Sequence, residues 1–136
     1  MSPAAVWCPT SMTRPVVHFE IIGSDPTRLQ AYYRELFGWD PQPGDATTET
    51  VSAPGQYGFV DSATSGSGIN GGIGGGEGFT PHVVFYIQVP DVGAALQQAE
   101  DLGGKRVMGP EGKPGTLIVA HFTDPEGNLV GLAGPK

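Results

Sequence analysis

Asp124-Pro125-Glu126-Gly127-Asn128 is followed by Leu129-Val130-Gly131-Leu132, a tight polar turn set between two apolar runs. Asp before Pro starts a turn, and Gly-Asn takes the left-handed conformation that reverses a chain. The flanking runs, Thr116 to Phe122 and Leu129 to Ala133, read as two antiparallel strands. A hairpin alone says little. A repeat that runs through the whole chain gives it a place.

Val16-Val17-His18-Phe19-Glu20-Ile21-Ile22-Gly23-Ser24-Asp25 aligns with His82-Val83-Val84-Phe85-Tyr86-Ile87-Gln88-Val89-Pro90-Asp91. Val17/Val83, Phe19/Phe85 and Ile21/Ile87 match at alternate positions, the period of a strand with one apolar face. Asp25 and Asp91 match as helix N-caps, and Pro26 suits a first helical residue. Leu29, Tyr32, Tyr33, Leu36 and Phe37 then form one helical stripe, stopped by Gly38. Val92, Ala95, Leu96, Ala99 and Leu102 form the other, stopped by Gly103-Gly104. Extended runs follow each helix: Thr47 to Ala53, Tyr57 to Ser62 and Ile69 to Ile73, then Lys105 to Met108, Thr116 to Phe122 and Leu129 to Ala133. The order is β-α-β-β-β, twice. Two copies make a duplicated module, not a stacked array.

Composition narrows the function. A chain of 136 residues is one domain's worth, and modules of about 60 residues need a shared core. A net charge of −7 argues against nucleic acid and anionic membranes as partners. There is no apolar run long enough to span a membrane and no pattern of a secretory signal. A single cysteine, Cys8, excludes an internal disulfide and fits the cytoplasm. Residues 1–13, with Trp7 and Cys8, read as a tail before a single domain over residues 14–136. Gly66 to Gly78 reads as a flexible connector; the alternative is a strand whose bare backbone approaches a ligand or another strand.

"VVHFEI" with its downstream Asp, "YYRELFGW", "ALQQAEDLGGKRV" and "FTDPEGNLVGL" together resemble the vicinal oxygen chelate superfamily, from roughly Arg14 to Gly134. That family includes glyoxalase I, extradiol dioxygenases, fosfomycin-resistance enzymes and bleomycin-binding proteins. The resemblance implies an α+β fold. Two βαβββ modules, about 14–76 and 80–134, would form a curved mixed sheet around a cavity, with helices on the outer face. It also implies a homodimer. Val17, Phe19, Ile21, Val83, Phe85 and Ile87 should then pack against the helices. His18, Glu20, Val84, Tyr86 and Gln88 should face the cavity, joined by Val119 and His121. Tyr32, Tyr33, Phe37 and Trp39 read as packing residues.

Family enzymes hold a divalent metal through His, Gln and Glu from both modules. His18 falls on the first ligand position. Its counterpart in the second module is Val84, and His82 lies two residues earlier, about 6–7 Å along the strand. The last-strand carboxylate position falls on Gly131, and Gly66 to Gly76 offers no clear carboxylate. His18 is thus the one clear family ligand position, and the expectation is no metal cofactor, with a divalent metal as the alternative. The expected function is binding of a small hydrophobic or aromatic molecule, contacted by His18, Glu20, Tyr86, Gln88, Val119 and His121. The alternatives are a metal-dependent glyoxalase-type lyase, isomerase or dioxygenase, or a metal-independent lyase or isomerase with His18 and Glu20 as catalytic groups.

Overall fold

The computed structural model describes residues 13–136. The expected N-terminal tail, including Trp7 and Cys8, lies outside the described residues apart from Thr13. Alternating side chains make β1 of Val16–Gly23, and Asp25 then caps α1, Pro26–Phe37, by accepting a hydrogen bond from the Arg28 amide at 3.1 Å. Gly38 closes the helix at φ 72, where a side chain would be strained. Strands β2 (Gln42–Gly44), β3 (Tyr57–Val60) and β4 (Asn70–Gly75) complete the first module. The second repeats the plan. It has β5 (His82–Gln88), α2 (Val92–Asp101, capped by Asp91), β6 (Lys105–Lys113), β7 (Leu117–Thr123) and β8 (Leu129–Gly134).

The turn before β8 is built as its residues suggest. The Asp124 carboxylate accepts from the amides of Glu126 and Asn128, each at 2.9 Å, and Gly127 sits at φ 92.

All eight strands form one open sheet in the order β2-β3-β4-β1-β5-β8-β7-β6. β4 runs parallel to β1 and β8 parallel to β5. Antiparallel pairing of β1 with β5 joins the modules, with Phe19 opposite Phe85 and His18 opposite Tyr86. The fold is the α+β arrangement of two βαβββ modules in a curved mixed sheet.

Three local expectations change. Thr47 to Ala53 is not a strand but a turn-rich loop, and β2 forms earlier, at Gln42–Gly44. The loop is held across the modules by the Thr48 hydroxyl, which donates to Glu111 of β6 at 2.7 Å, and by burial of Val51. The glycine-rich stretch is not merely a connector, since Asn70–Gly75 is an internal strand between β3 and β1. Glycine is required there because neighbouring rings lie flat on it. A Cβ on Gly71 would meet the Phe19 ring at 2.1 Å.

The third change concerns which face of the central strands is buried. Val83 is 66% exposed and Phe85 43%, whereas Glu20, Ile22, Val84 and Tyr86 on the opposite face are each 3% exposed or less. The helices explain this. α1 lies chiefly over β4, and α2 lies over β6, β7 and β8, so neither covers β5. Under α2 a core forms from Val92, Leu96, Ala120 and Leu132. Burying one such aliphatic side chain contributes about 1.5–3 kcal/mol. α1 buries only Pro26, and Tyr32, Leu36 and Phe37 on it are all exposed. Tyr33, Phe37 and Phe19 instead cluster on Trp39, with ring centroids 5.2–5.5 Å away.

Candidate ligand-binding site

Strand alternation turns His18, Glu20 and Ile22 of β1 toward the inner face, beside Asn70, Gly72 and Gly74 of β4. On the other side stand Val84 and Tyr86 of β5, then Gly131 of β8. The inner face bounds a cavity of about 540 Å³. Its floor carries His18, Glu20, Tyr57 and Tyr86, and its walls carry Val17, Val51, Phe59, Leu117, Val119 and Ala133. The loop after β2 closes one side with Asp45, Ala46 and Thr47, and Lys113 stands at the rim. The size suits a small organic molecule.

The floor is one hydrogen-bonded chain with Glu20 at its centre. The Tyr57 hydroxyl donates to Glu20 Oε1 and the Tyr86 hydroxyl to Glu20 Oε2, both at 2.8 Å. Beyond them, His18 Nε2 lies 2.9 Å from the Tyr57 oxygen, and His121 Nε2 lies 2.6 Å from the Tyr86 oxygen. A phenol has a single proton, so with Glu20 ionised each imidazole is the donor to its tyrosine. When Glu20 is protonated, it can donate to one tyrosine, which then donates to its own histidine. Both states leave the chain satisfied, and among the described residues no buried side-chain polar atom lacks a partner.

Burial sets the charges. Desolvation pushes the Glu20 carboxyl up to about 7, against the opposing pull of hydrogen bonds from Tyr86 and Tyr57. Burial lowers His121 to about 4, helped by the nearby His82, and lowers His18 as well. Burial and the adjacent Glu20 raise both tyrosines above their ordinary value. Near neutrality the floor therefore carries a charge of zero or −1, and Glu20 decides which.

Of the residues singled out from sequence, His18, Glu20, Tyr86 and Val119 border the cavity. His121 stands behind Tyr86 and reaches the floor through that hydroxyl. Gln88 does not join them: it is exposed at the end of β5, where its amide bonds to the Pro15 carbonyl. His82 sits at the start of β5, its Nδ1 2.8 Å from the Thr80 carbonyl and its ring 6.5 Å from that of His121. Sequence reasoning passed over Tyr57, which is 3% exposed and completes the floor. The available signal was Tyr57-Gly58 beside a strand with four glycines in six residues, a large ring facing Gly72 and Gly74, which have no side chains.

Those glycines bear on a metal. A Cβ on Gly72 would lie 2.1 Å from the Tyr57 ring, and one on Gly131 would lie 2.6 Å from the Tyr86 ring. The tyrosines thus occupy the space that side chains from β4 and β8 would need. Val84, the counterpart of His18, offers no donor atom. Among the described residues no three of His, Cys, Asp or Glu converge as a metal would require. The residues present do not fit the four-ligand centre that the resemblance implies.

Residues 16–132 match the Glyoxalase/Bleomycin resistance protein/Dioxygenase superfamily. Solved structures of similar fold include methylmalonyl-CoA epimerase from Mycobacterium tuberculosis, 16% identical over 98% of this chain and 95% of that one, with a TM-score of 0.61. A Streptomyces coelicolor methylmalonyl-CoA epimerase variant in complex with 2-nitronate-propionyl-CoA is 14% identical over 90% of this chain and 95% of that one, TM-score 0.62. A Legionella pneumophila protein described as an NAD-dependent benzaldehyde dehydrogenase is 14% identical over 88% of this chain and 98% of that one, TM-score 0.59. At such identities the likeness is one of fold. No curated protein matches the chain. With the family match spanning both modules, the chain belongs to the glyoxalase/bleomycin resistance protein/dioxygenase superfamily.

Proposed function

We propose that this protein binds a small molecule with an apolar or aromatic body in the cavity between its modules, without a bound metal. The observation that carries this reading is the pairing of ring with glycine. Tyr57 over Gly72 and Tyr86 over Gly131 replace ligand-bearing positions with two phenols tied to one carboxylate. Above them the walls are mainly aliphatic and aromatic, which favours an apolar guest through burial. A thermal-shift screen of aromatic compounds, followed by amide NMR titration, tests it. Hits should move the resonances of Val51, Val119 and Ala133. Hits that move only the outer face refute the assignment.

A second reading rests on Glu20. A carboxyl that titrates at about 7 can both take and give a proton near neutrality, as a metal-independent lyase or isomerase requires. His18, bonded to Tyr57, would position that phenol. Turnover of a bound hit, abolished by Glu20→Gln, would favour this reading over simple binding.

We further propose a homodimer through the outer face of β1 and β5. Val83 and Phe85 are exposed there, Tyr32, Leu36 and Phe37 are exposed on α1, and Tyr32 and Val83 border one groove; an exposed apolar face of this kind marks an association site. A two-fold dimer would pair this same face on both copies, with Phe85 at its centre. Among the described residues no helix is long and apolar enough to cross a membrane. We place the protein in the cytoplasm on the strength of its cysteine content, which cell fractionation would check.

A further inference from the structure

Glu20 is a carboxylate without a cation. Among the described residues the ion pairs are Arg34 with Asp40 at 4.0 Å and Arg106 with Glu100 at 2.9 Å, both on the surface. Neither is near the floor of the cavity. The nearest imidazoles, His18 and His121, are held neutral by burial, so they supply dipoles and no charge. Lys113 borders the same cavity but is exposed and belongs to neither of these ion pairs. A buried carboxylate is normally paired, because hydrogen bonds alone recover only part of its lost hydration.

What surrounds Glu20 is aromatic. Tyr57 and Phe59 meet edge to face at 4.9 Å between centroids, and His18 lies 5.8 Å from Tyr86 and 6.4 Å from Tyr57. Tyr57, Phe59, Tyr86 and His18 all border the same space as Glu20. Ring faces within about 6 Å attract an organic cation, most strongly where water is excluded. The chain's net charge of −7 adds a long-range field of the same sign.

We propose that the ligand is an organic cation: a protonated amine on an apolar or aromatic body. Its charged head sits against the Glu20 carboxylate within the ring of aromatics, and its body lies along Val51, Leu117 and Val119. The tyrosine hydroxyls stay bonded to Glu20 and hold its oxygens in place, while the head supplies the missing charge. This rests on the reading of the cavity as a ligand site and names the class of ligand it takes. Inorganic cations fit less well, since a single carboxylate with both oxygens already hydrogen-bonded offers them too few donors.

A matched series on one aromatic body tests it: naphthylmethylamine, naphthylmethanol and naphthoate, each titrated by calorimetry into the full chain at about pH 8, where an alkylamine is charged and Glu20 is mostly ionised. The amine should bind at least about tenfold more tightly than the alcohol, with the carboxylate weakest. In Glu20→Gln the amine's advantage over the alcohol should shrink to within about twofold. An alcohol that binds the wild-type chain as tightly as the amine overturns the cation proposal and leaves the ligand cavity standing. Failure of all three to bind overturns the cavity reading as well. An amine preference that survives in Glu20→Gln also overturns the proposal. The wild-type comparison decides the matter even if that variant does not fold.

Discussion

Replacing Glu20 with glutamine should make the protein more stable at alkaline pH, although it removes the centre of a fully bonded network. Glu20 titrates at about 7 in the folded chain against 4.5 for an ordinary glutamate. At about 1.36 kcal/mol per pKa unit, keeping the buried group ionised costs about 3 kcal/mol above pH 7. The sign follows from the direction. A carboxyl whose folded pKa is raised costs the fold nothing below 4.5, and the cost grows as pH rises until it levels off above about 7. Glutamine removes the charge at every pH and keeps one acceptor. It exchanges the other for an amide donor, which one tyrosine accepts by turning its own proton to its histidine. That exchange costs about 1 kcal/mol. Urea unfolding should therefore find Glu20→Gln about 2 kcal/mol more stable than wild type at pH 8, and equal or slightly weaker at pH 4.5. A wild type that is the more stable at pH 8 would refute the reasoning. It would mean that the two phenols stabilise the carboxylate by more than burial penalises it.

Three further outcomes follow from the same geometry. Tyr57→Phe removes the donor to Glu20 Oε1, so the Glu20 titration, followed by carboxyl carbon NMR, should move further above 7, and stability should fall by about 1–2 kcal/mol, more at pH 8 than at pH 5. Gly131→Ala and Gly72→Ala each drive a methyl into a tyrosine ring and should cost about 1–3 kcal/mol, seen as lowered urea midpoints; a neutral effect would contradict the placement of the rings. Phe85→Asp on the outer face should convert a dimer into a folded monomer by light scattering, and a wild-type chain that is already monomeric would remove that proposal.

Sequence periodicity carried far because the fold is a duplication whose strands keep an alternate pattern and whose helices carry caps. Asp25, Asp91 and the turn at Asp124 act locally, so their roles could be read from neighbouring residues. The burial of the central strands could not. Val83 and Phe85 alternate like core residues, and whether a helix covers them depends on where α1 and α2 settle, a tertiary matter. The loop after β2 reads as a strand because Thr-rich extended sequence also suits a loop pinned by side-chain bonds, here Thr48 to Glu111. At the site, His18, Glu20, Tyr86, Val119 and His121 were legible from alternation and from the family resemblance. Tyr57 was not, because its partners lie on other strands: the glycines of β4, the next strand, which make room for it, and Glu20 of β1, two strands earlier, which fixes its hydroxyl.

On the function proposed here, Tyr57, Tyr86 and Glu20 take the place of the family's metal centre. The most direct test is elemental analysis of the untagged protein after equilibration with zinc, nickel, manganese or ferrous iron and exhaustive dialysis, alongside His18→Ala. The expected metal content is far below one ion per chain, the same in both proteins. One ion per chain in the wild type, lost in His18→Ala, would contradict it.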